Sequence, residues 1–335
     1  MSAAASVEAT VSSPESLPEW PLFGFADDMR PAMARAVAQG ARFALATLIA
    51  AEGGAPRPLG AQMLVGPAAS PGLLSGFLSG GCVEGDVVAH ARAALTDGRA
   101  RRLIYGEGSP WPDIRLLCGA RIEVLVEPVA ADAPAVADLL AAEAERRPVV
   151  WITDGGAQRV ERAEPDAPAL AVDAAPFRVA RRFDPTARML VIGGDPTALA
   201  IAGLAAQSGF DTWLLRPKGP ERPPPLPGVR YDRRAPAEVF AELDLDPWTA
   251  VAVATHDLET DEAALLAALP SSAGYVGVLG ARRRLPERRA RLAAAGVGQV
   301  VLARLRGPIG LDLGGKSPFE IAVAVVAEVI AARGR

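Results

Sequence analysis

The sequence predicts an α/β protein: an N-terminal α/β domain followed by a Rossmann-like domain built on a doubly wound parallel sheet. Three observations carry that expectation. Apolar runs of strand length alternate along the chain with stretches of helical periodicity. In the second half they recur as βα units of the length that makes a parallel sheet. A chain of 335 residues, half of them hydrophobic, can also bury two cores.

The elements follow in order. Residues 1–24 are rich in Ala, Ser, Pro and Glu and hold neither a basic start nor an apolar core, so they read as a disordered tail and not a signal peptide. The expectation is a cytoplasmic protein. Residues 25–160 form the first domain. A helix near Met29 to Gln39 precedes strands at Phe43 to Ile49, Met63 to Val65 and Leu73 to Leu78, and a helix follows through Val83, Val87, Ala91 and Leu95. Strands at Leu103 to Tyr105 and Ile122 to Val126, a helix over Ala133 to Glu145 and a strand at Val149 to Thr153 complete it. Residues 161–187 turn to Ala, Pro, Asp and Arg with weak periodicity and read as a linker, leaving 188–335 as the second domain.

In that second domain strands fit Met189 to Ile192, Thr212 to Leu215, Ala250 to Ala254 and Tyr275 to Leu279, with helices after them. Ligands of such sheets bind outside the C-terminal ends of the strands. Those ends carry Gly193-Gly194-Asp195, Arg216, Thr255-His256-Asp257 and Gly280 to Arg283, which are expected to share a crevice. Ser317 and Glu320, with Pro318 between them, fit a capping box that starts the last helix. The glycine-rich run Gly307 to Lys316 before it suits either anion binding or close packing.

Composition excludes several classes. A net charge of −4 gives no pull toward nucleic acid or anionic lipid. The longest apolar stretch, Ile321 to Ala332, is interrupted by Glu328 and falls short of the ~20 residues a membrane span needs, so no membrane is expected. Two cysteines, Cys82 and Cys118, make no disulfide framework, and the two histidines, His90 and His256, stand without ligand-like spacing to them.

Chemistry is expected first at Ser79-Gly80-Gly81-Cys82-Val83-Glu84-Gly85, where strand meets helix. Two glycines allow a tight turn and close ligand approach, and N–H groups at the helix start would favour a thiolate at Cys82. The alternative is a small buried hydrophobe. In the second domain the fingerprint argues against NAD: the glycine that would admit a pyrophosphate is replaced by Asp195, which with Pro196 makes a natural N-cap. Where NAD binding wants a carboxylate, the second strand ends in Arg216, which suits a phosphate, NADP included. Arg282 to Arg291 holds six arginines. Arg282 and Arg283 lie near the strand end and can meet an anion, while Arg288, Arg289 and Arg291 read as a solvated face.

Several motifs in one order resemble the XdhC/CoxI family. They are the Cys82 run, Ala55-Pro56-Arg57-Pro58-Leu59-Gly60-Ala61-Gln62, the Cys118-Gly119 pair before Arg121, Thr255-His256-Asp257, Tyr275 to Arg283, and Gly307 to Gly314. The resemblance implies an accessory protein of xanthine dehydrogenase and related molybdenum hydroxylases. Such a carrier binds the molybdopterin form of the molybdenum cofactor, protects it while a cysteine desulfurase installs its terminal sulfur, and hands it to the apo-hydroxylase, as a homodimer. On this reading Arg57, Gly80, Gly81, Cys82, Glu84, Cys118 and Gly119 form one set of cofactor-binding residues, with Cys82 as the soft sulfur near the metal. Gly193, Gly194, Arg216, His256, Arg282 and Arg283 form another. The chain departs from the family pattern at Asp195, at Arg216 in place of an aspartate, and at Ala120 in place of a glycine. The rival readings are an NAD(P)-dependent oxidoreductase, with His256 as its one acid–base candidate, and an adaptor that holds no ligand.

Overall fold

The computed structural model describes residues 17–333 apart from 55–56, 71, 108–118 and 120. The chain divides into two compact units, Met1–Asp184 and Pro185–Arg335. The tail expected over 1–24 lies outside the described residues up to position 16, and Leu22–Phe25 form a 3-10 turn.

The first unit contains α1 (Arg30–Ala38), β1 (Phe43–Glu52), β2 (Gln62–Val65), β3 (Leu74–Gly76), α2 (Glu84–Asp97), β4 (Arg101–Tyr105), β5 (Arg121–Val129) and α3 (Pro134–Ala144). Its main sheet runs β3-β2-β1-β5-β4, with every neighbour antiparallel. Central β1 is apolar along nearly its whole length because both of its faces are covered. Ala44, Ala46 and Leu48 join one cluster with Val87, Val88 and Ala91 of α2. Phe43 and Leu45 point the other way, to Met33 of α1 and Leu139 of α3.

The stretch expected as a linker, 161–187, is instead largely strand. After β6 (Val149–Thr153) and β7 (Gln158–Arg162), β8 (Leu170–Ala174) and β9 (Phe177–Phe183) complete a second antiparallel sheet of order β7-β6-β9-β8. Its composition hides it, because Arg178, Arg181 and Arg182 interrupt the apolar pattern of Val179, Ala180 and Phe183. The Arg181 guanidinium stacks 3.9 Å from the Phe183 ring centroid, so even a charged position packs on its neighbour. Glu127 of β5 links the two sheets. Its buried carboxylate accepts from Thr153 Oγ1 (2.6 Å), Gln158 Nε2 (2.9 Å) and Trp151 Nε1 (3.3 Å).

The second unit reads β10 (Arg188–Gly193), α4 (Pro196–Gln207), β11 (Asp211–Leu215), β12 (Val229–Asp232), α5 (Pro236–Leu243), β13 (Thr249–Ala254), α6 (Leu258–Ala268), β14 (Tyr275–Val278), α7 (Leu285–Ala294), α8 (Gln299–Leu302), β15 (Leu305–Arg306) and α9 (Pro318–Arg333). The strands are parallel in the order β12-β11-β10-β13-β14-β15. That order reverses between β10 and β13, which is where doubly wound sheets open a ligand crevice. The sheet carries a core on each face, one with α4 and α9 and one with α5, α6 and α7.

The last helix starts as its sequence requires. Glu320 accepts from the N–H groups of Lys316 and Ser317, and Glu320 N–H reaches Ser317 Oγ at 3.4 Å. The glycine-rich run ahead of it is drawn onto α9 at one point: Gly310 N–H (2.6 Å) and Tyr275 Oη (2.5 Å) both donate to Glu328. Among the described residues no helix is long and apolar enough to cross a membrane.

Candidate functional site

The loop between β3 and α2 is organised from within by one carboxylate. Glu84, the first residue of α2, is 1% exposed and accepts from the N–H groups of Leu78 (2.9 Å), Ser79 (2.7 Å), Gly81 (2.8 Å) and Val83 (3.3 Å), and from Ser79 Oγ (2.7 Å). Burial works to raise the Glu84 carboxyl, and the Ser79 and Leu78 hydrogen bonds outweigh it and hold the group below its ordinary range. Ser79 Oγ in turn accepts from Cys82 N–H and Val83 N–H, each at 3.1 Å. The N–H groups of Leu78, Ser79, Gly81, Cys82 and Val83 are thus turned inward to Glu84 and Ser79. Glu84, expected to touch a ligand, is the hub of the loop.

Cys82 itself is exposed, which removes the buried-hydrophobe alternative. Gly80 (φ +86°) and Gly81 (φ +113°) adopt backbone conformations suited to glycine, and nothing lies within 4 Å of where a Cβ would stand on either. The loop thus presents a thiol flanked by open backbone. Behind it the first turn of α2 is pinned, since Tyr105 Oη donates to Asp86 at 2.6 Å and His90 lies 3.6 Å from the same carboxylate oxygen. Burial, then the Asp86 hydrogen bond, push the Tyr105 phenol well above its ordinary range and keep it a donor.

Arg57 pairs with Asp27 and stacks 4.6 Å from the ring centroid of Phe77, just upstream of the loop. Its charge is already answered. Gly119 is exposed, and Cys118 and Ala120 lie outside the described residues.

In the second unit, Gly193, Gly194, Asp195, Arg216, Thr255, His256 and Asp257 line a crevice of about 500 Å³ at the ends of β10, β11 and β13. Asp195 caps α4, its Oδ1 accepting Ala198 N–H at 2.8 Å, while Oδ2 stands 3.1 Å from His256 Nε2. The N-cap read from the sequence is thus present, with a second partner the sequence did not announce. Asp257 likewise caps α6 through Glu259 N–H, and Thr260 Oγ1 donates to it at 2.5 Å.

Gly280 to Arg283 do not join this crevice. Gly280, Ala281, Arg283 and Arg284 line a neighbouring one of about 270 Å³, whose wall is also formed by Thr255 and His256. Arg282 turns away to pair with Asp312 at 2.7 Å. Arg288, read as part of a solvated face, is instead largely buried against Asp261, with Nη2 2.7 Å from that carboxylate. The helical spacing of the arginines could not reveal it, because the partner comes from α6. Asp261 also accepts from Thr255 Oγ1 at 2.7 Å, and burial pushes its carboxyl above the ordinary range despite both partners. Among the described residues no group of three or more His, Cys, Asp or Glu is placed to hold a metal ion.

An antiparallel α/β unit that displays a cysteine on a Gly-Gly turn, followed by a doubly wound parallel unit with Asp195 at its first helix cap, is the arrangement of a two-domain protein with a Rossmann-like second half. The chain belongs to the XdhC and CoxI family. The model of that family matches residues 36–106, and the XdhC Rossmann domain matches residues 189–329. The chain is 34% identical over 289 residues to the molybdenum cofactor insertion chaperone PaoD of Escherichia coli, covering 86% of this chain and 83% of that one. It is 27% identical over 329 residues to a Bacillus subtilis protein described as a probable xanthine dehydrogenase subunit, covering 87% and 93%. A crystal structure of a Bacillus halodurans protein described as a xanthine dehydrogenase shares the fold, with a TM-score of 0.71 at 22% identity over 91% of this chain and 96% of that one.

Proposed function

We propose that the protein is a molybdenum cofactor chaperone. It binds the molybdopterin form of the cofactor, shields it while a cysteine desulfurase installs the terminal sulfur, and delivers it in the cytoplasm to an apo-hydroxylase of the xanthine dehydrogenase type. The observation that carries this reading is the 34% identity to PaoD, a molybdenum cofactor insertion chaperone, across most of both chains.

The residues fit such a cargo. Molybdenum and its terminal sulfur call for a soft ligand, and Cys82 offers an exposed thiol on a turn whose glycines leave room for a bulky group. The crevice of the second unit adds a guanidinium, Arg216, beside a histidine held by the Asp195 carboxylate.

The test is the ligand content of the protein purified from a host that makes the cofactor. Molybdenum with a pterin is expected. A bound nicotinamide would replace this reading with an oxidoreductase, and an empty protein that still binds hydroxylase and desulfurase would replace it with an adaptor.

A further inference from the structure

We propose that the crevice at the ends of β10, β11 and β13 is a seat for a phosphate monoester, built on Arg216. The inference rests on the carrier reading, under which that monoester is the terminal phosphate of molybdopterin.

Arg216 directly follows β11, where doubly wound folds read the group carried on a ribose; a diol there is met by a carboxylate and a phosphate by a guanidinium. Its side chain is held in a slot made by two glycines. A Cβ on Gly194 would stand 2.5 Å from Arg216 Cδ and closer still to Nε, and one on Gly219 would stand 2.9 Å from Cγ and Cδ. Tyr231 of β12 fixes the far side of the slot, its Oη donating to Pro220 O at 2.8 Å. The arginine lies across Gly194, and a Cβ there would force the guanidinium end of the side chain to move.

Among the described residues the Arg216 guanidinium has no hydrogen bond or ion pair, whereas Arg57 is paired with Asp27 and Arg288 with Asp261. A cation that is positioned and unanswered in a crevice of about 500 Å³ is a preorganised anion site. The two carboxylates in the same wall, Asp195 and Asp257, are engaged as helix caps, and their charge keeps an anion to the β11 side, near Arg216. A pyrophosphate would need close approach at position 195, where Asp195 presents a carboxylate, so a terminal phosphate on the Arg216 side is the group that fits.

The experiment compares equilibrium binding of metal-free molybdopterin with that of the same pterin after phosphatase treatment. The wild-type protein is expected to prefer the phosphorylated form by about tenfold or more. Arg216→Ala should abolish that preference and Arg216→Lys should restore part of it. Gly194→Ala should reduce it with the arginine still present, and Arg289→Ala, which removes an arginine outside the crevice, should leave it intact. Thermal unfolding checks that each variant is folded. Equal binding of the two pterins by the wild type, or a preference that survives Arg216→Ala, overturns the seat and leaves the carrier reading standing. If neither pterin binds, the carrier reading falls, and titration with NADP against NAD decides the seat: an Arg216-dependent preference for NADP keeps it for a different monoester, and no such preference overturns it as well.

Discussion

The turns before α2 and before α4 are assembled from the same parts, two glycines and a carboxylate at a helix start, and they use them differently. In the first, Glu84 is sealed inside the turn and gathers four backbone N–H groups, so the outward-facing atom is the Cys82 sulfur. In the second, Asp195 stays at the crevice wall, takes one N–H and holds His256, and the outward-facing group is the Arg216 guanidinium. Each turn displays a single side chain, soft in one unit and cationic in the other.

The comparison breaks first at Glu84. Glu84→Ala strands several buried N–H groups, and the expected loss is roughly 3 kcal/mol or more in denaturant unfolding, with a changed rate of Cys82 alkylation. A loss no larger than that of Asp195→Ala would mean the two carboxylates do equivalent work. Cys82→Ser should change stability by less than about 0.5 kcal/mol, because the side chain is exposed, yet sharply reduce molybdenum retained on purification. Retention equal to wild type would remove the thiol from the site. For Asp195→Ala a loss of about 0.5 to 2 kcal/mol is expected, against only a few tenths for Asp195→Gly. A gain of NAD or NADP binding by the glycine variant would show that the carboxylate guards the crevice.

The smallest effect is in the pH profile, where two buried glutamates of the first unit oppose each other. Glu84 is lowered in the folded protein, so its stabilisation is present above the ordinary carboxylate pKa and is lost as pH falls through the lowered value. Glu127 is raised, chiefly by burial and against its three hydrogen bonds. Its contribution is complete below the ordinary pKa and is lost as pH rises through the raised value. Unfolding midpoints across acidic to neutral pH should show Glu127→Gln flattening the upper part of this profile and Glu84→Gln the lower part.

Much of the molecule is legible in its sequence wherever the signal is local. The Asp195-Pro196 cap, the Ser317 and Glu320 capping box and the βα rhythm of the second unit each depend on residues a few positions apart. The losses are all non-local. β8 and β9 are concealed because their arginines use their charge within the fold, as Arg181 does by stacking on Phe183 of its own strand and donating to the distant Gly60 O, so charge gives no sign of a sheet. Glu84 enters the expected binding set through the family resemblance, and the wrapping of residues 78–83 around its carboxylate rests on backbone contacts that spacing does not reveal. Arg288 and the slot around Arg216 each need a partner from another element, Asp261 in one case and Gly194 with Gly219 in the other.

The bond from Gly310 to Glu328 divides the glycine-rich run at a single residue. Gly310, at φ +98°, rests against the backbone of α9, where a Cβ would meet Ala324 and Val325 at 3.2 Å, and Leu311 N–H bonds Ala324 O at 3.1 Å. Residues 311–317 beyond it are exposed. Deuterium should accordingly enter the amide of Gly310 slowly and those of Gly314 and Gly315 fast, although all three sit in one stretch of like composition. A protease offered the native protein should cut after the tether and not before it, releasing α9 as the first fragment.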